Sequence, residues 1–252
     1  MKKIIIGNWK MNPATYEEAK EIAAKTRAVA SKRKKVDVVA CPPFPFIDAL
    51  ITREDNSSLA LGAQSVSEFE SGSHTGQVSA KMLKSLGVEY VIVGHSEERE
   101  YGDTNARIAK RIQSVLDVGL TAVVCVGEKV RDEHGAYMDF IRTQMKETFA
   151  GVPIDKARKI IVAYEPVWAI GAKEAMKSEQ IYEMALFVKK VFSDTFGAEV
   201  ALKLKVLYGG SVNAKNAGEI MTVGKVDGLL VGRESVSITG FPDLLKVVEE
   251  VS

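Results

Sequence analysis

The segment Ala163-Tyr164-Glu165-Pro166-Val167-Trp168-Ala169-Ile170-Gly171 carries the clearest sign of the fold. An apolar run from Lys159 to Ala163 leads into it and ends close to a lone carboxylate, Glu165. Any strand must stop at Pro166, because proline has no backbone N–H to donate. A carboxylate that follows a buried strand and precedes a loop is typical of a parallel α/β enzyme. Taken alone, it also fits a structural ion pair.

Short segments rich in β-branched residues alternate with helical segments along the whole chain. Apolar stripes of helical period run from Ala19 to Ala30 and from Ile181 to Phe192. Nearly continuous apolar strands that alternate with helices predict a parallel sheet covered on both faces. The predicted strands are Lys3–Ile6, Val36–Ala40, Leu59–Ala63, Tyr90–Val93, Thr121–Val126, Lys159–Ala163, Leu204–Tyr208 and Gly228–Val231.

Eight strand–helix units in 252 residues favour a closed (β/α)₈ barrel, the TIM barrel of the α/β class. No linker or change of composition divides the chain, so residues 1–252 are expected to form a single catalytic domain. An open doubly wound sheet remains the alternative on periodicity alone. Polar and glycine residues follow most of the predicted strands. In a barrel these residues would meet at the C-terminal rim, whereas an open sheet would keep them apart.

The charge balance argues against nucleic-acid and membrane-surface binding. The net charge is +1, from 34 basic and 33 acidic residues that are evenly spread. Cys41 and Cys125 have no paired spacing, which indicates buried free thiols in a reducing compartment. No window of eighteen uncharged apolar residues is present, and the N-terminus does not resemble a signal peptide. A soluble, cytoplasmic protein is expected.

A glycine-rich segment after the seventh strand suggests an anion site. Gly209-Gly210-Ser211 precedes a predicted helix with Asn213 at its N-cap, and Gly232 follows the eighth strand. Glycines let a ligand approach the backbone, and helix N-termini offer free N–H groups, so this position predicts phosphate binding. An ordinary turn is the alternative. No P-loop motif occurs, which argues against a nucleoside triphosphate.

His95 and Lys10 complete a candidate constellation with Glu165. His95 directly precedes a predicted helical segment, Ser96–Tyr101, whose N-terminus would favour a neutral imidazole. A surface histidine and a solvated lysine are the alternatives. A base, a neutral hydrogen-bond donor, a cation and a phosphate site suit proton abstraction beside the carbonyl of a phosphorylated sugar. We expect no metal and no cofactor.

Four segments of the chain resemble the triosephosphate isomerase family, and the resemblance extends over the whole length. It implies a homodimer that interconverts dihydroxyacetone phosphate and glyceraldehyde 3-phosphate without a cofactor. The same-fold alternative is an epimerase or synthase with a similar phosphate site. The matching segments are Gly7–Asn12, Val93–Glu97, Ala163–Gly171 and Tyr208–Val212.

The resemblance also implies a role for each matching residue. Glu165 would be the base and His95 the neutral electrophile, two roles that are the family's established example of pKa tuning and are carried over here. Lys10 would offset the developing negative charge, and Glu97 would pair with Lys10. The implied substrate-binding groups are Asn8, Lys10 and the backbone amides of Gly171, Ser211, Gly232 and Arg233.

The resemblance implies that residues 166–178 form a lid, a loop that closes over the site. The sequence departs from the family pattern in the part of this lid that follows Gly171. Lys173 stands at a hinge where glycine is usual, and helix-forming residues run up to Ser178, the expected N-cap. We therefore expect the following helix to extend backward and to tether the lid. Arg233 replaces a second glycine, and its guanidinium either adds charge or obstructs the phosphate. The chain is expected to be a working but slower isomerase, with weaker phosphate binding and a lid that favours the open state; a non-catalytic or slow phosphosugar-binding barrel is the alternative.

The predicted third loop, Ser65–Ser79, is long for a barrel connection. By resemblance, its tip around Thr75 would insert into the partner subunit beside that subunit's active site. Gln77 and Glu98 stand where the family has a glutamate and an arginine. An interfacial ion pair adds little net stability, so a dimer is expected without that pair.

Overall fold

Eight apolar segments form parallel strands that close into a barrel. The computed structural model describes residues 2–50, 59–171 and 175–252. Within these residues each strand hydrogen-bonds to the next one along the chain, and the eighth pairs with the first, which excludes the open sheet. The strands are β1 (Lys3–Asn8), β2 (Val36–Cys41), β3 (Leu59–Ala63), β4 (Tyr90–Val93), β5 (Thr121–Val126), β6 (Ile160–Tyr164), β7 (Lys205–Tyr208) and β8 (Gly228–Val231).

Helices surround the barrel on its outer face. The first begins with a capping box, in which Thr15 accepts from the Glu18 backbone N–H and Glu18 accepts from the Thr15 backbone N–H. The α-helices among the described residues are α1 (Tyr16–Ala30), α2 (Ile47–Leu50), α3 (Ala80–Ser85), α4 (Ser96–Glu100), α5 (Asn105–Asp117), α6 (Ala136–Thr148), α7 (Ser178–Phe196), α8 (Ala198–Ala201), α9 (Ala214–Thr222) and α10 (Gly240–Val251). None of these helices is long and apolar enough to cross a membrane.

The predicted strands are confirmed, with small shifts at their ends. β6 begins one residue later than predicted, because Lys159 still belongs to a 3₁₀ turn over Ala157–Lys159. β7 also begins one residue late, because the Leu204 N–H bonds back to the carbonyl of Ala201. Local hydrogen bonds of the preceding turn therefore decide where each strand begins.

The apolar residues form two layers separated by the barrel wall. The outer layer lies between strands and helices, and the predicted stripe of α7 belongs to it. The inner layer fills the barrel with side chains from alternate strand positions. Cys41 and Cys125 belong to this inner layer as free thiols, as predicted, and burial raises the pKa of both. The inner layer consists of Ile4, Ile6, Val39, Cys41, Ile92, Val123, Cys125, Ile161, Ala163, Leu207 and Leu230.

The alternation along each strand determines which rim residues face the barrel axis. Ile161 and Ala163 point inward, so the next inward position on that segment is Glu165. The same count of two leads from Ile6 to Asn8. Side chains that lie far apart in the sequence, such as Asn8 and Glu165, are thereby brought to one end of the barrel.

Candidate active site

A cavity of about 450 Å³ opens at the C-terminal rim. Every residue that the sequence singled out as a site residue lines it, so the rim residues do converge as a closed barrel requires. Ile170 and Leu230 add apolar surface to the same cavity. The singled-out residues are Asn8, Lys10, His95, Glu97, Glu165, Gly171, Ser211, Gly232 and Arg233.

Glu165 is only 3% exposed and is held between two neighbouring loops. One carboxylate oxygen accepts a hydrogen bond from the Ser96 backbone N–H at 3.3 Å. Two glycines make room for the residue. A Cβ at Gly127 would overlap the Glu165 carbonyl, and a Cβ at Gly209 would come within 2.9 Å of the Glu165 Cγ. The carboxylate is therefore placed by backbone groups and by the absence of two side chains.

His95 caps α4, so the predicted helix after it is present. Its Nδ1 accepts a hydrogen bond from the Glu97 backbone N–H at 3.2 Å. A nitrogen that accepts carries no proton, so this pattern assigns a neutral ring with its proton on Nε2. The Nε2 atom lies 3.3 Å from a Glu165 carboxylate oxygen. The imidazole thus presents an N–H donor to the cavity, directly beside the carboxylate.

Lys10 adopts a left-handed backbone conformation with φ of 54°, which is unusual for a residue with a side chain. Two contacts hold it there: Asn8 Oδ1 accepts from the Lys10 N–H at 3.1 Å, and Gln64 Nε2 donates to the Lys10 carbonyl at 2.9 Å. The Lys10 ammonium lies 2.6 Å from a Glu97 oxygen, which confirms the predicted pair. Gln64 was not predicted as a site residue, although its place directly after β3 was a signal.

The glycine-rich segment Gly209–Ser211, predicted to bind phosphate, has the predicted local structure. Asn213 is the N-cap of α9, and its side chain accepts from the Lys215 N–H at 2.8 Å. Asn216 closes a capping box with Asn213 and also donates to the Ser211 carbonyl at 3.0 Å. The Ser211 hydroxyl donates to the Ala169 carbonyl at 3.1 Å. The glycine-rich segment is therefore tied both to its own helix and to the lid.

Glu128 anchors the first half of the lid, where Val167–Ala169 form a 3₁₀ turn. Its carboxylate is 1% exposed and accepts from Trp168 Nε1 at 2.9 Å and from the Tyr164 hydroxyl at 2.9 Å. Burial raises the pKa of Tyr164, and the nearby negative charge of Glu128 raises it further, so the hydroxyl remains a donor. Glu128 lies two residues after the end of β5, and the sequence alone did not reveal its role.

The second half of the lid differs from the sequence-based expectation. Lys173 lies outside the described residues. Met176 is buried, and its backbone N–H donates to the Tyr208 hydroxyl at 3.2 Å. α7 begins at Ser178, with the N-cap at Lys177 in an extended conformation. The predicted backward extension over residues 175–177 and the predicted cap at Ser178 are therefore wrong, because the contacts of Met176 outweigh local helix propensity.

Arg99 is a partly buried arginine that supports the loop of His95 through three hydrogen bonds. Its Nε donates to the Gly94 carbonyl at 2.8 Å, and one terminal nitrogen donates to the Cys125 carbonyl at 3.3 Å. The other terminal nitrogen donates to Asn105 Oδ1 at 2.6 Å. Burial lowers the pKa of Arg99, partly offset by the neighbouring acidic groups. The sequence offered no sign of this role, since most arginines are exposed.

A buried carboxylate and an imidazole that meet at the C-terminal rim of a (β/α)₈ barrel define the class of protein: a barrel enzyme with its active site at that rim. The sequence profile described as triosephosphate isomerase matches residues 3–248. The chain belongs to the triosephosphate isomerase family and is an isomerase.

Individual relatives agree over nearly the full length. The triosephosphate isomerase of Cytophaga hutchinsonii is 39% identical over 97% of this chain and 98% of its own. That of Clostridium botulinum strain Eklund 17B is 38% identical over 97% of this chain and 98% of its own. That of Dehalococcoides mccartyi strain BAV1 is 39% identical over 98% of this chain and 96% of its own. The similarity therefore extends over nearly the full length of these relatives, all of which are triosephosphate isomerases.

Proposed function

We propose that the protein interconverts dihydroxyacetone phosphate and D-glyceraldehyde 3-phosphate, with Glu165 as the base and neutral His95 as the electrophile. The observation that supports these roles best is the contact between His95 Nε2 and the Glu165 carboxylate at 3.3 Å. Since His95 Nδ1 already accepts from Glu97, Nε2 carries the only ring proton. The donor and the base therefore meet at one point of the cavity.

The reaction follows from these positions. Glu165 removes a proton from the hydroxymethyl carbon of dihydroxyacetone phosphate, and the electron pair moves to form an enediolate. The Nε2–H of His95 hydrogen-bonds the oxygen that becomes negative, and the Lys10 ammonium offsets that charge. Glu165 then returns the proton to the neighbouring carbon, which gives glyceraldehyde 3-phosphate. The hydroxyl proton of the first carbon must also move to the former carbonyl oxygen, which His95 Nε2 contacts, so that the ketone becomes a hydroxyl and the hydroxymethyl group becomes the aldehyde. One carbon-bound and one oxygen-bound proton are relocated, and none is gained or lost.

The substrate phosphate is held at the other end of the cavity. Backbone N–H groups of Gly171, Ser211, Gly232 and Arg233 would donate to its oxygens, while Asn8 and Lys10 bind the sugar end. Ile170 and Leu230 line the cavity and would keep water away from the enediolate. The lid that carries Gly171 also carries Ile170, so phosphate binding and exclusion of water are coupled.

A coupled assay of glyceraldehyde 3-phosphate turnover tests the proposal. The wild-type enzyme should convert the substrate, and His95→Gln should lower kcat by about 10² or more, since it removes the aligned N–H donor. The matched control is His134→Gln, because His134 is exposed and lies outside the cavity. Wild-type protein that shows no turnover, or equal activity of the two variants, would count against the proposed reaction or role.

The protein is also proposed to act as a homodimer. Apolar side chains are exposed on loops that follow β1 and β4: Met11 is 94% exposed and Tyr101 is 88% exposed. Phe69, on the long third loop, is 43% exposed. A second copy of the chain would cover these side chains, with the loop tip around Thr75 inserted beside its active site. Sedimentation that shows an active monomer at micromolar concentration would contradict this.

Glu98 does not depend on the partner for its charge balance. Its carboxylate accepts from Arg111 at 3.3 Å and from the Ser65 hydroxyl at 3.2 Å within the same chain. Arg111 also donates to the buried Asp103 at 3.0 Å. The dimer is therefore proposed to form without the Gln77–Glu98 contact across the interface.

We further propose that residues 1–252 act as a single catalytic domain in the cytoplasm. The free thiols of Cys41 and Cys125, both enclosed within the barrel, are compatible with a reducing compartment. Cell fractionation that places the activity outside the cytoplasm would contradict the location.

A further inference from the structure

Arg233 occupies the phosphate end of the cavity and is exposed to solvent. It directly follows Gly232, which is close to Lys10: a Cβ on Gly232 would lie 3.3 Å from the Lys10 Cε. The guanidinium therefore extends from a residue whose neighbour in the chain already borders the substrate site. Of the amides assigned to phosphate, that of Arg233 is the one whose own side chain is cationic.

The charges that line the cavity make this cation important. Among the described residues three carboxylates line it, those of Glu97, Glu165 and Glu234, against two cations, Lys10 and Arg233. The Lys10 charge is already paired with Glu97 at 2.6 Å. A phosphate dianion that enters this cavity would therefore meet a net negative charge, which the guanidinium of Arg233 reduces.

The guanidinium of Arg233 is available for such a contact. Within the described ranges no carboxylate lies within ion-pair distance of it. The adjacent Glu234 is turned elsewhere, since a Cβ on Gly240, at the start of α10, would overlap its carboxylate. An exposed arginine that has no ion-pair partner among the described residues can change rotamer at little cost, so it need not block the phosphate.

We propose that Arg233 binds the substrate phosphate through its side chain, in addition to its backbone amide, and thereby increases the preference of this enzyme for phosphorylated over unphosphorylated trioses. This rests on the proposed phosphate site. A planar guanidinium can donate two parallel hydrogen bonds to phosphate oxygens, which a backbone amide cannot. Sequence alone left open whether Arg233 adds charge or obstructs. Its exposure and lack of an acidic partner point to added charge.

Titration with inorganic phosphate, combined with kinetics on two substrates, tests this. Arg233→Gln should weaken phosphate binding about tenfold and lower kcat/KM for glyceraldehyde 3-phosphate by a similar factor, chiefly through KM. Turnover of unphosphorylated glyceraldehyde should stay within about twofold, which also shows that the variant is folded. Arg233→Lys should recover part of the loss, because it keeps the charge without the fork.

The matched control is Arg158→Gln. Arg158 pairs with Glu199 at 2.9 Å in the turn before β6, at the opposite end of the barrel, so this variant should leave phosphate affinity and both activities unchanged. Unchanged or tighter phosphate binding by Arg233→Gln would overturn the proposal, as would an equal loss with both substrates. If the proposed reaction is wrong, the wild-type enzyme will show no turnover. The phosphate titration would still test the role of Arg233, because it measures affinity without catalysis.

Discussion

The two ends of the active-site cavity are built in different ways. At the base end, Glu165 and His95 are buried, and backbone N–H groups hold both side chains. At the end proposed to bind phosphate, called the phosphate end, the described residues offer backbone amides and one exposed cation, Arg233. Proton transfer requires two groups placed within tenths of an ångström, whereas a phosphate can be bound by several donors that share the task.

This difference indicates where the chain tolerates change. Two of its departures from the family pattern, at Lys173 and Arg233, fall on the lid and on the end of the cavity proposed to bind phosphate, and the departures at Gln77 and Glu98 concern the proposed dimer contact. The base end keeps the residues that the family has. Substitutions at the base end should therefore cost catalysis outright, whereas those at the lid should change binding by smaller factors.

The largest effect is expected from Glu165→Gln. The amide keeps the shape of the side chain but cannot accept a proton, so kcat should fall by about 10² to 10⁴. Inorganic phosphate should bind nearly as well as before, because its donors lie at the other end. Turnover in the coupled assay and a phosphate titration measure the two effects. The control, Glu199→Gln, changes an exposed carboxylate far from the cavity. Activity that survives within a few-fold would show that another group is the base.

An intermediate effect is expected from Gln64→Ala, which tests whether the support of Lys10 belongs to the base end. The variant loses hydrogen bonds to the carbonyls of Lys10 and Cys41, at 2.9 and 2.8 Å. Lys10 would then relax from its left-handed conformation, and kcat/KM should fall about tenfold.

The control for this variant is Gln113→Ala, which removes a similar bond, at 3.2 Å to the Ala150 carbonyl, away from the site. It should leave kcat/KM unchanged. Equal effects of the two substitutions on activity would mean that Gln64 contributes only to stability.

A smaller effect is expected from Trp168→Phe in the lid. The substitution keeps an aromatic ring but removes the hydrogen bond to Glu128 at 2.9 Å. Because Trp168 is partly exposed, water can replace part of that bond, and we expect KM to rise about three- to fivefold with little change in kcat. Steady-state kinetics decide. A fall in kcat as large as that of Gln64→Ala would erase the distinction between lid and base end.

The smallest effect concerns the two buried thiols beneath the base end, which change the free energy of unfolding only at alkaline pH. Burial raises the folded-state pKa of Cys41 and Cys125 above the ordinary value of 9.0, whereas unfolded chains keep that value. Their contribution to stability is therefore complete below about pH 9. It is lost as the pH rises further, by about 1.4 kcal/mol per thiol for each pH unit.

Urea denaturation at pH 8 and pH 10 measures this loss. The double variant Cys41→Ala, Cys125→Ala should lose less stability between these two values than the wild-type protein does. Equal losses would mean that the two thiols are not the groups that respond.

The fold and most of the cavity could be predicted because both depend on local order in the sequence. Apolar runs marked the strands, and the residues directly after them, such as Asn8 and Glu165, became the rim. The roles of Gln64, Glu128 and Arg99 could not be predicted. Each acts through a contact with a residue on another strand–loop unit, and sequence spacing does not show which side chains will meet.

The start of α7 shows a second limit. Residues 174–177 have high helix propensity, which predicted a longer helix. Propensity amounts to a few tenths of a kcal/mol per residue, and burial of one methionine side chain is worth about 1.5–3 kcal/mol. Met176 is buried and bonded to Tyr208, so the tertiary contacts prevail.

The alternation of side chains along β6 determines whether Glu165 points into the barrel or out of it. Ile161 and Ala163 face the barrel axis, and Glu165 follows them at the same spacing of two residues. All three point to the same side, because successive side chains of a strand point to opposite faces. Deleting one residue inside β6 would shorten that spacing by one and turn the carboxylate toward the surrounding helices, with the composition almost unchanged. A deletion in the lid would leave the direction of Glu165 as it is. The direction of the Glu165 side chain therefore depends on the number of residues in β6. A deletion of one residue within the strand would reverse that direction, and no other part of the chain would restore it.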